Sequence, residues 1–121
     1  MEVLNLEGTE ETPSIILDKK KGVFEISGRS LPENATGFYK PVIRWIEEYA
    51  SNPNTVTELI FKLDYFNTAS SKLILDVLAA LEKVKNANVQ WYFNEDDEDM
   101  EEAGEDFSQL VKIPFYFKTY E

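Results

Sequence analysis

The chain has 121 residues, enough for one domain with a core of its own, and 43% of them are hydrophobic. It contains neither cysteine nor histidine, which excludes disulfides, thiolate metal sites and the usual Ser–His and Cys–His nucleophile arrangements. Its formal net charge is −11, and a chain of this sign is repelled by phosphate backbones and anionic lipids, so nucleic-acid and membrane partners are disfavoured.

Three short strands are predicted at the start of the chain, over residues 3–6, 14–18 and 22–27. The second and third flank the turn Lys19-Lys20-Lys21-Gly22, an arrangement typical of a β-hairpin. Gly28 is expected to end the third strand, and residues 29–34 are expected to be irregular.

The first helix is predicted from Ala35 or Thr36 to Ala50. Its apolar residues recur three and four positions apart, as expected for one buried face: Phe38, Val42, Trp45, Ile46 and Tyr49. Pro41 fits a helix only in the first turn, which moves the expected start towards Tyr39.

Strands and helices alternate in the second half of the chain. Strands are predicted over residues 55–66, 89–94 and 113–120, and helices over residues 68–86 and 98–111. The strand at 55–66 is apolar on both faces near Ile60 and is expected at the centre of the sheet. The pattern predicts one α/β domain over residues 1–121, with a mixed sheet of five to six strands and three helices.

A small hydroxyl-rich cluster, Asn67-Thr68-Ala69-Ser70-Ser71-Lys72, follows the central strand and opens the second helix. Asn67 is a good helix N-cap by residue type. The first turn of a helix also receives a phosphoryl group well, because its backbone N–H groups lack intrahelical partners and its dipole favours negative charge. The residues alone leave two compatible interpretations: a helix cap, or a phosphoacceptor site with Thr68 in the first turn.

The acidic segment over residues 95–106 gives only weak evidence for a different kind of functional site, a calcium-binding loop. Residues 95–106 hold nine acidic residues and no basic one, while the rest of the chain has 14 acidic and 12 basic residues, a net charge of −2. Counted from Asn94 or Asp96, the sixth residue of an EF-hand loop would be Asp99 or Glu101 rather than glycine. We therefore predict a solvated acidic helix start and no metal or cofactor site.

Two further groups were considered as functional residues. Asp64, near Lys62 and Lys72, is a single carboxylate without a partner fixed by spacing, and is weak evidence for a general acid or base. The large aromatic side chains are expected in the core rather than in a ligand platform: Trp45, Trp91, Phe93, Phe115 and Phe117.

Four ordered blocks resemble the SiaC family of bacterial regulatory phosphoproteins, whose fold is similar to the STAS domains of anti-sigma-factor antagonists. The blocks are Thr12-Pro13-Ser14-Ile15; Leu31-Pro32-Glu33-Asn34-Ala35 with Phe38-Tyr39-Lys40-Pro41 and Trp45; Tyr65-Phe66-Asn67-Thr68-Ala69-Ser70-Ser71-Lys72; and Asp96-Asp97-Glu98-Asp99-Met100 with Gly104-Glu105-Asp106-Phe107 and Ile113-Pro114-Phe115. The resemblance extends over nearly the whole chain.

The resemblance implies a non-enzymatic adaptor, and the lack of cysteine and of any long apolar run in the sequence fits a cytoplasmic location. A dedicated protein kinase phosphorylates such proteins on a threonine, here Thr68, and a metal-dependent serine/threonine phosphatase removes the phosphate. The unphosphorylated form binds and activates a diguanylate cyclase, which makes cyclic di-GMP. Ser70 and Ser71 are weaker alternatives as acceptors, because STAS antagonists usually carry a serine in this turn.

The expected partner-binding residues surround the acceptor: Tyr65, Phe66, Asn67, Ser70, Ser71 and Lys72. An alternative function uses the same turn. In it the protein is an anti-sigma-factor antagonist that captures an anti-sigma kinase and so releases a transcription factor. The sequence does not separate these two functions.

Overall fold

The computed structural model describes residues 1–121 and contains six strands and three helices. The elements in chain order are β1 (Leu4–Leu6), β2 (Ser14–Asp18), β3 (Val23–Ser30), α1 (Ala35–Tyr49), β4 (Thr57–Phe66), α2 (Thr68–Leu81), β5 (Ala87–Asn94), α3 (Glu98–Leu110) and β6 (Phe115–Tyr120). This is the predicted order of elements, and the α/β class with a mixed sheet is confirmed.

All six strands form one sheet in the order β1-β2-β3-β4-β5-β6. The first three strands are antiparallel, whereas β3 to β6 are parallel and are joined through α1, α2 and α3. Because right-handed crossovers that advance in one direction place their helices on the same face, one face of the sheet is covered and the other is open. The central place of β4 is confirmed.

The core lies between the sheet and this helical layer. In β4, Leu59, Phe61 and Leu63 are buried, while Glu58 and Lys62 are exposed on the open face. Buried and exposed residues alternate in this way along a strand that is packed on one side only. Strand β4 is thus anchored from one face, and its carboxyl end leads directly into α2.

Helix α3 packs close to the sheet at Gly104. A Cβ atom added there would lie 2.5 Å from ring atoms of Trp91 and 2.9 Å from Phe117. The indole N–H of Trp91 donates a hydrogen bond to the Met100 carbonyl at 3.0 Å. The glycine therefore permits an approach between helix and strand that a larger residue would prevent.

Strand β3 continues through Ser30, so the prediction that Gly28 ends it was wrong. Gly28 has φ +100°, a conformation that glycine adopts without steric penalty, and the register with β4 shifts between Gly28 and Arg29. The shift is a β-bulge in which β4 has one extra residue, Asp64, and pairing resumes beyond it, with Ser30 opposite Phe66.

Helix α1 begins at Ala35, because Asn34 caps it by accepting the Gly37 N–H at 3.1 Å. The expectation that Pro41 must lie in the first turn was therefore wrong. Pro41 is exposed inside the helix, where water can bind the carbonyl that its missing N–H leaves free.

The other helices end earlier than predicted. Helix α2 ends at Leu81 and not at Asn86. The backbone N–H groups of Lys83 and Val84 bond to carbonyls three positions back, as in a 3₁₀ turn and not an α-helix, and Asn86 has φ +60°. Phe117, which was predicted to lie in the core, is 41% exposed, and the apolar Leu110 is 65% exposed. Phe117 belongs to the edge strand β6, and Leu110 is the last residue of α3.

None of the three helices combines the length and apolarity required to cross a lipid bilayer.

Candidate functional site

The candidate site is the turn between β4 and α2, at the carboxyl end of the central strand. Asn67 ends the strand in extended geometry and caps α2, accepting the Ser70 N–H on its side-chain oxygen at 2.9 Å. The Asn67 N–H in turn donates to the Ser30 carbonyl at 3.0 Å. The predicted N-cap is confirmed, and the turn is tied to the neighbouring strand.

Three buried hydroxyl groups, linked by hydrogen bonds, hold the turn in place from the core side. The Ser30 hydroxyl lies 2.5 Å from the Tyr39 hydroxyl and donates to the Ser70 hydroxyl at 2.9 Å, while Ser70 donates to the Ser30 carbonyl at 3.0 Å. All three side chains are fully buried. Burial raises the pKa of Tyr39 above its ordinary value, and the hydrogen bond with Ser30 offsets part of that rise. The network joins β3, α1 and α2.

The three hydroxyls of the cluster have different environments. Thr68 is exposed, Ser71 is half-buried, and Ser70 is fully buried with its hydroxyl engaged in the network. A modifying enzyme must reach the oxygen that it modifies. Of the three residues, Thr68 is the most exposed to solvent.

The start of α2 is open to an anion in a way that the start of α3 is not. The first turn of α2 carries no acidic side chain, whereas that of α3 carries Glu98, Asp99 and Glu101. No carboxylate in the first turn of α2 therefore balances the positive end of the helix dipole. A phosphate on Thr68 would lie beside backbone N–H groups without an acid in the same turn.

A β-bulge shapes the surface before this turn. Arg29 pairs with Tyr65 after the register shift, so Asp64 has no partner across the ladder, and both Asp64 and Tyr65 are exposed. Tyr65 is 46% exposed, and the Arg29 guanidinium lies 5.4 Å from its ring centre. The bulge thus turns a large aromatic ring outwards, three residues before the start of α2.

A groove of about 350 Å³ adjoins this surface, between the end of β4 and the first turns of α3. Tyr120 lies near it and donates to Asp64 across 3.3 Å. Partial burial, the Asp64 carboxylate and then the Asp97 carboxylate raise the pKa of Tyr120. Asp64 is therefore part of an acidic surface, and its hydrogen bond is to a tyrosine.

The predicted site residues lie together around one turn. Tyr65, Thr68 and Lys72 are exposed, Phe66, Asn67 and Ser71 are half-buried, and Ser70 is buried. Sequence reasoning missed Ser30 and Tyr39, which hold Ser70 from distant elements. One signal was present: Ser30 continues the inward alternation of Phe24 and Ile26, once Gly28 is recognised as a residue within the strand and not as its end.

These features define a small α/β protein with an exposed threonine, Thr68, at the capped start of the helix that follows its central strand. Comparison with known proteins specifies the class: residues 6–120 match the SiaC family of regulatory phosphoproteins. The chain belongs to this family, which is defined by regulation and not by catalysis, and the predicted resemblance is confirmed.

Relatives of this chain are found in Pseudomonas aeruginosa. An uncharacterised protein of strain UCBPP-PA14 is 30% identical, with 100% of this chain and 99% of the relative covered. The crystal structure of the diguanylate cyclase SiaD in complex with its activator SiaC matches with a TM-score of 0.89 and 30% identity, over 97% of this chain and 99% of the other. A structure of SiaC gives a TM-score of 0.88 and 28% identity, over 99% and 100% of the two chains.

Proposed function

We propose that this protein is a cytoplasmic adaptor that binds and activates a diguanylate cyclase and is switched off by phosphorylation of Thr68. A protein kinase and a serine/threonine phosphatase would set its state. The observation that carries the proposal is the exposure of Thr68 at the capped start of α2, in a chain similar to a known cyclase activator.

The partner surface would include the exposed Tyr65 ring, the half-buried Phe66 and the outer side of the first turn of α2. Aromatic side chains bury large areas and are common anchors of interfaces. Asn67, Ser71 and Lys72 would supply polar contacts around them. Ser70, which is buried, would not contact the partner but would hold the turn in place.

Phosphorylation would disturb this surface at its centre. A phosphate adds roughly −1.5 to −2 charge and three strongly hydrated oxygens. To close the same interface, the partner would have to remove water from that dianion, which is costly without new hydrogen bonds. A loss of about 3 kcal/mol would weaken binding more than a hundredfold.

The test is a binding titration of the purified protein against a diguanylate cyclase, with cyclic di-GMP production measured in parallel. We expect Thr68→Ala to bind and activate like the unmodified protein. Thr68→Glu should bind more weakly, and enzymatically phosphorylated protein should bind about a hundredfold more weakly. Equal affinity of the unmodified and phosphorylated forms would contradict the switch.

Thr36→Glu provides a matched control. Thr36 is also an exposed threonine in the first turn of an asparagine-capped helix, but that helix is α1. It adds the same charge to a comparable position outside the proposed surface and should leave cyclase binding unchanged. Phosphopeptide mapping of protein isolated from its own cells should locate the phosphate on Thr68, and not on Ser71.

A further inference from the structure

The groove beside the proposed switch has a mixed lining. Its lining residues come from the end of β4 and the start of α3: Asp64, Tyr65, Phe66, Asp97, Asp99, Met100 and Ala103. The groove thus lies at the carboxyl ends of parallel strands, where open α/β sheets commonly bind their ligands. It extends away from Thr68 onto an element that the sequence did not connect with function.

Apolar groups form the inner part of the groove. Met100 is 6% exposed, and the Phe66 ring lies 6.0 Å from that of Phe107, which is buried. The exposed Tyr65 ring stands at one side. A side chain entering here would therefore bury apolar surface on both partners, which favours association.

Three carboxylates border this apolar surface, those of Asp64, Asp97 and Asp99. Their hydrogen bonds are to neutral groups: the Tyr120 hydroxyl donates to Asp64, and the Met100 N–H donates to Asp97. The rest of the acidic segment continues outwards along α3, where Glu98, Glu101 and Glu102 are all exposed. Two cations lie nearby, Arg29 at 5.4 Å from the Tyr65 ring centre and Lys62 at 4.8 Å from that of Tyr120, but the carboxylates outnumber them. The local charge is therefore negative and attracts cations over distance.

We propose that this groove binds a segment of the protein partner that carries an apolar side chain next to lysine or arginine. The apolar side chain would enter between Phe66 and Met100, and the cation would approach Asp64 and Asp99. This inference rests on the proposed function and extends it, because it assigns a role to the acidic segment and predicts the chemistry of the partner.

The three carboxylates that border the groove (the acidic rim) and the phosphorylation of Thr68 (the switch) would act differently on such a partner. The rim attracts a basic segment before contact and increases the rate of association. A phosphate on Thr68 adds bulk and bound water where the interface must close. Neutralising the rim should therefore weaken binding even when Thr68 is unmodified.

The first test compares two double variants that remove equal charge. Asp64→Asn with Asp99→Asn removes two of the three negative charges that line the groove. Glu101→Gln with Glu105→Gln removes two negative charges from exposed residues of α3 that do not line it. We expect the groove variant to associate with the cyclase about tenfold more slowly, with a weaker dependence on salt. Because Glu101 and Glu105 do not line the groove, the control variant should slow association less than the groove variant does. Equal effects of the two variants would overturn the proposal.

A second test needs no identified partner and separates the groove from the cyclase. Labelled protein is titrated with a leucine–lysine peptide and with a leucine–glutamate peptide of equal length, and amide chemical shifts are recorded by NMR. We expect the lysine peptide to shift Tyr65, Met100 and Ala103, and the glutamate peptide to shift none of them. Equal shifts with both peptides, or no shifts in the groove, would overturn the proposal. If the unmodified protein binds no cyclase, the proposed function fails, while this titration still decides the inference about the groove.

Discussion

Thr68 and Ser70 lie two positions apart in the same helical turn and have opposite surroundings. Thr68 is exposed, whereas Ser70 is fully buried and bonded to Ser30. Because a buried hydroxyl without its hydrogen bonds is costly, Ser70 stabilises the turn and Thr68 remains available for chemistry. The different exposure of these two similar side chains depends on their orientation in this turn.

The buried hydroxyl network leads to a prediction about alkaline pH. Burial raises the pKa of Tyr39 above its ordinary value, so the folded protein retains a phenolic proton that the unfolded chain releases. The resulting stability is complete below about pH 10 and is lost as the pH rises further. We expect Tyr39→Phe to reduce this alkaline loss, measured as the free energy of unfolding in urea at a series of pH values.

Tyr116→Phe serves as the control, since Tyr116 is 52% exposed and belongs to no such network. It should leave the alkaline profile unchanged. Near neutral pH, Tyr39→Phe should cost about 1 kcal/mol, because the Ser30 hydroxyl loses one of its partners. An alkaline profile equal to that of the unmodified protein would show that Tyr39 is not the titrating group.

At the scale of elements, helix α3 forms one wall of the groove and its position depends on close packing. Gly104 permits the contact with Trp91, and Trp91 in turn bonds to the Met100 carbonyl. The helix was predicted from its apolar spacing and acidic start. Its distance from the sheet could not be predicted, because a glycine inside a helix does not specify the partner that it approaches.

Gly104→Ala is expected to destabilise the protein by roughly 1–3 kcal/mol, since the new methyl group would overlap the Trp91 ring. Thermal unfolding followed by circular dichroism measures the change. Glu102→Ala, at an exposed position of the same helix, should alter stability by less than about 0.5 kcal/mol. Similar effects of the two substitutions would contradict the close packing described here.

At the scale of the whole molecule, charge is distributed unevenly. The net charge is −11, and nine acidic residues lie within residues 95–106, mostly on the solvent side of α3. Carboxylates in the first turn of α3 interact favourably with the helix dipole. Glu105 and Asp106 lie beyond that first turn, and the last turn of α3 has no basic residue to balance them. Mutual repulsion along this helix should therefore oppose folding.

Added salt should relieve that repulsion. We expect the melting temperature to rise between low ionic strength and about 0.15 M sodium chloride, where the screening length is about 8 Å. Glu105→Gln with Asp106→Asn should raise the melting temperature in low salt and reduce its dependence on salt. A melting temperature that falls on addition of salt in the unmodified protein would argue against net repulsion.

Local patterns in the sequence determined the order of elements, the central place of β4, the N-cap Asn67 and the hydroxyl cluster that follows it. Each depends on periodicity, residue type or turn chemistry within a few positions. The tertiary structure alone decided which hydroxyl is exposed, that Ser30 and Tyr39 support Ser70, and that Asp64 and Asp99 border one groove. These contacts join residues far apart in the chain, and they arise from strand register, a bulge and helix packing, for which short-range sequence patterns carry little signal.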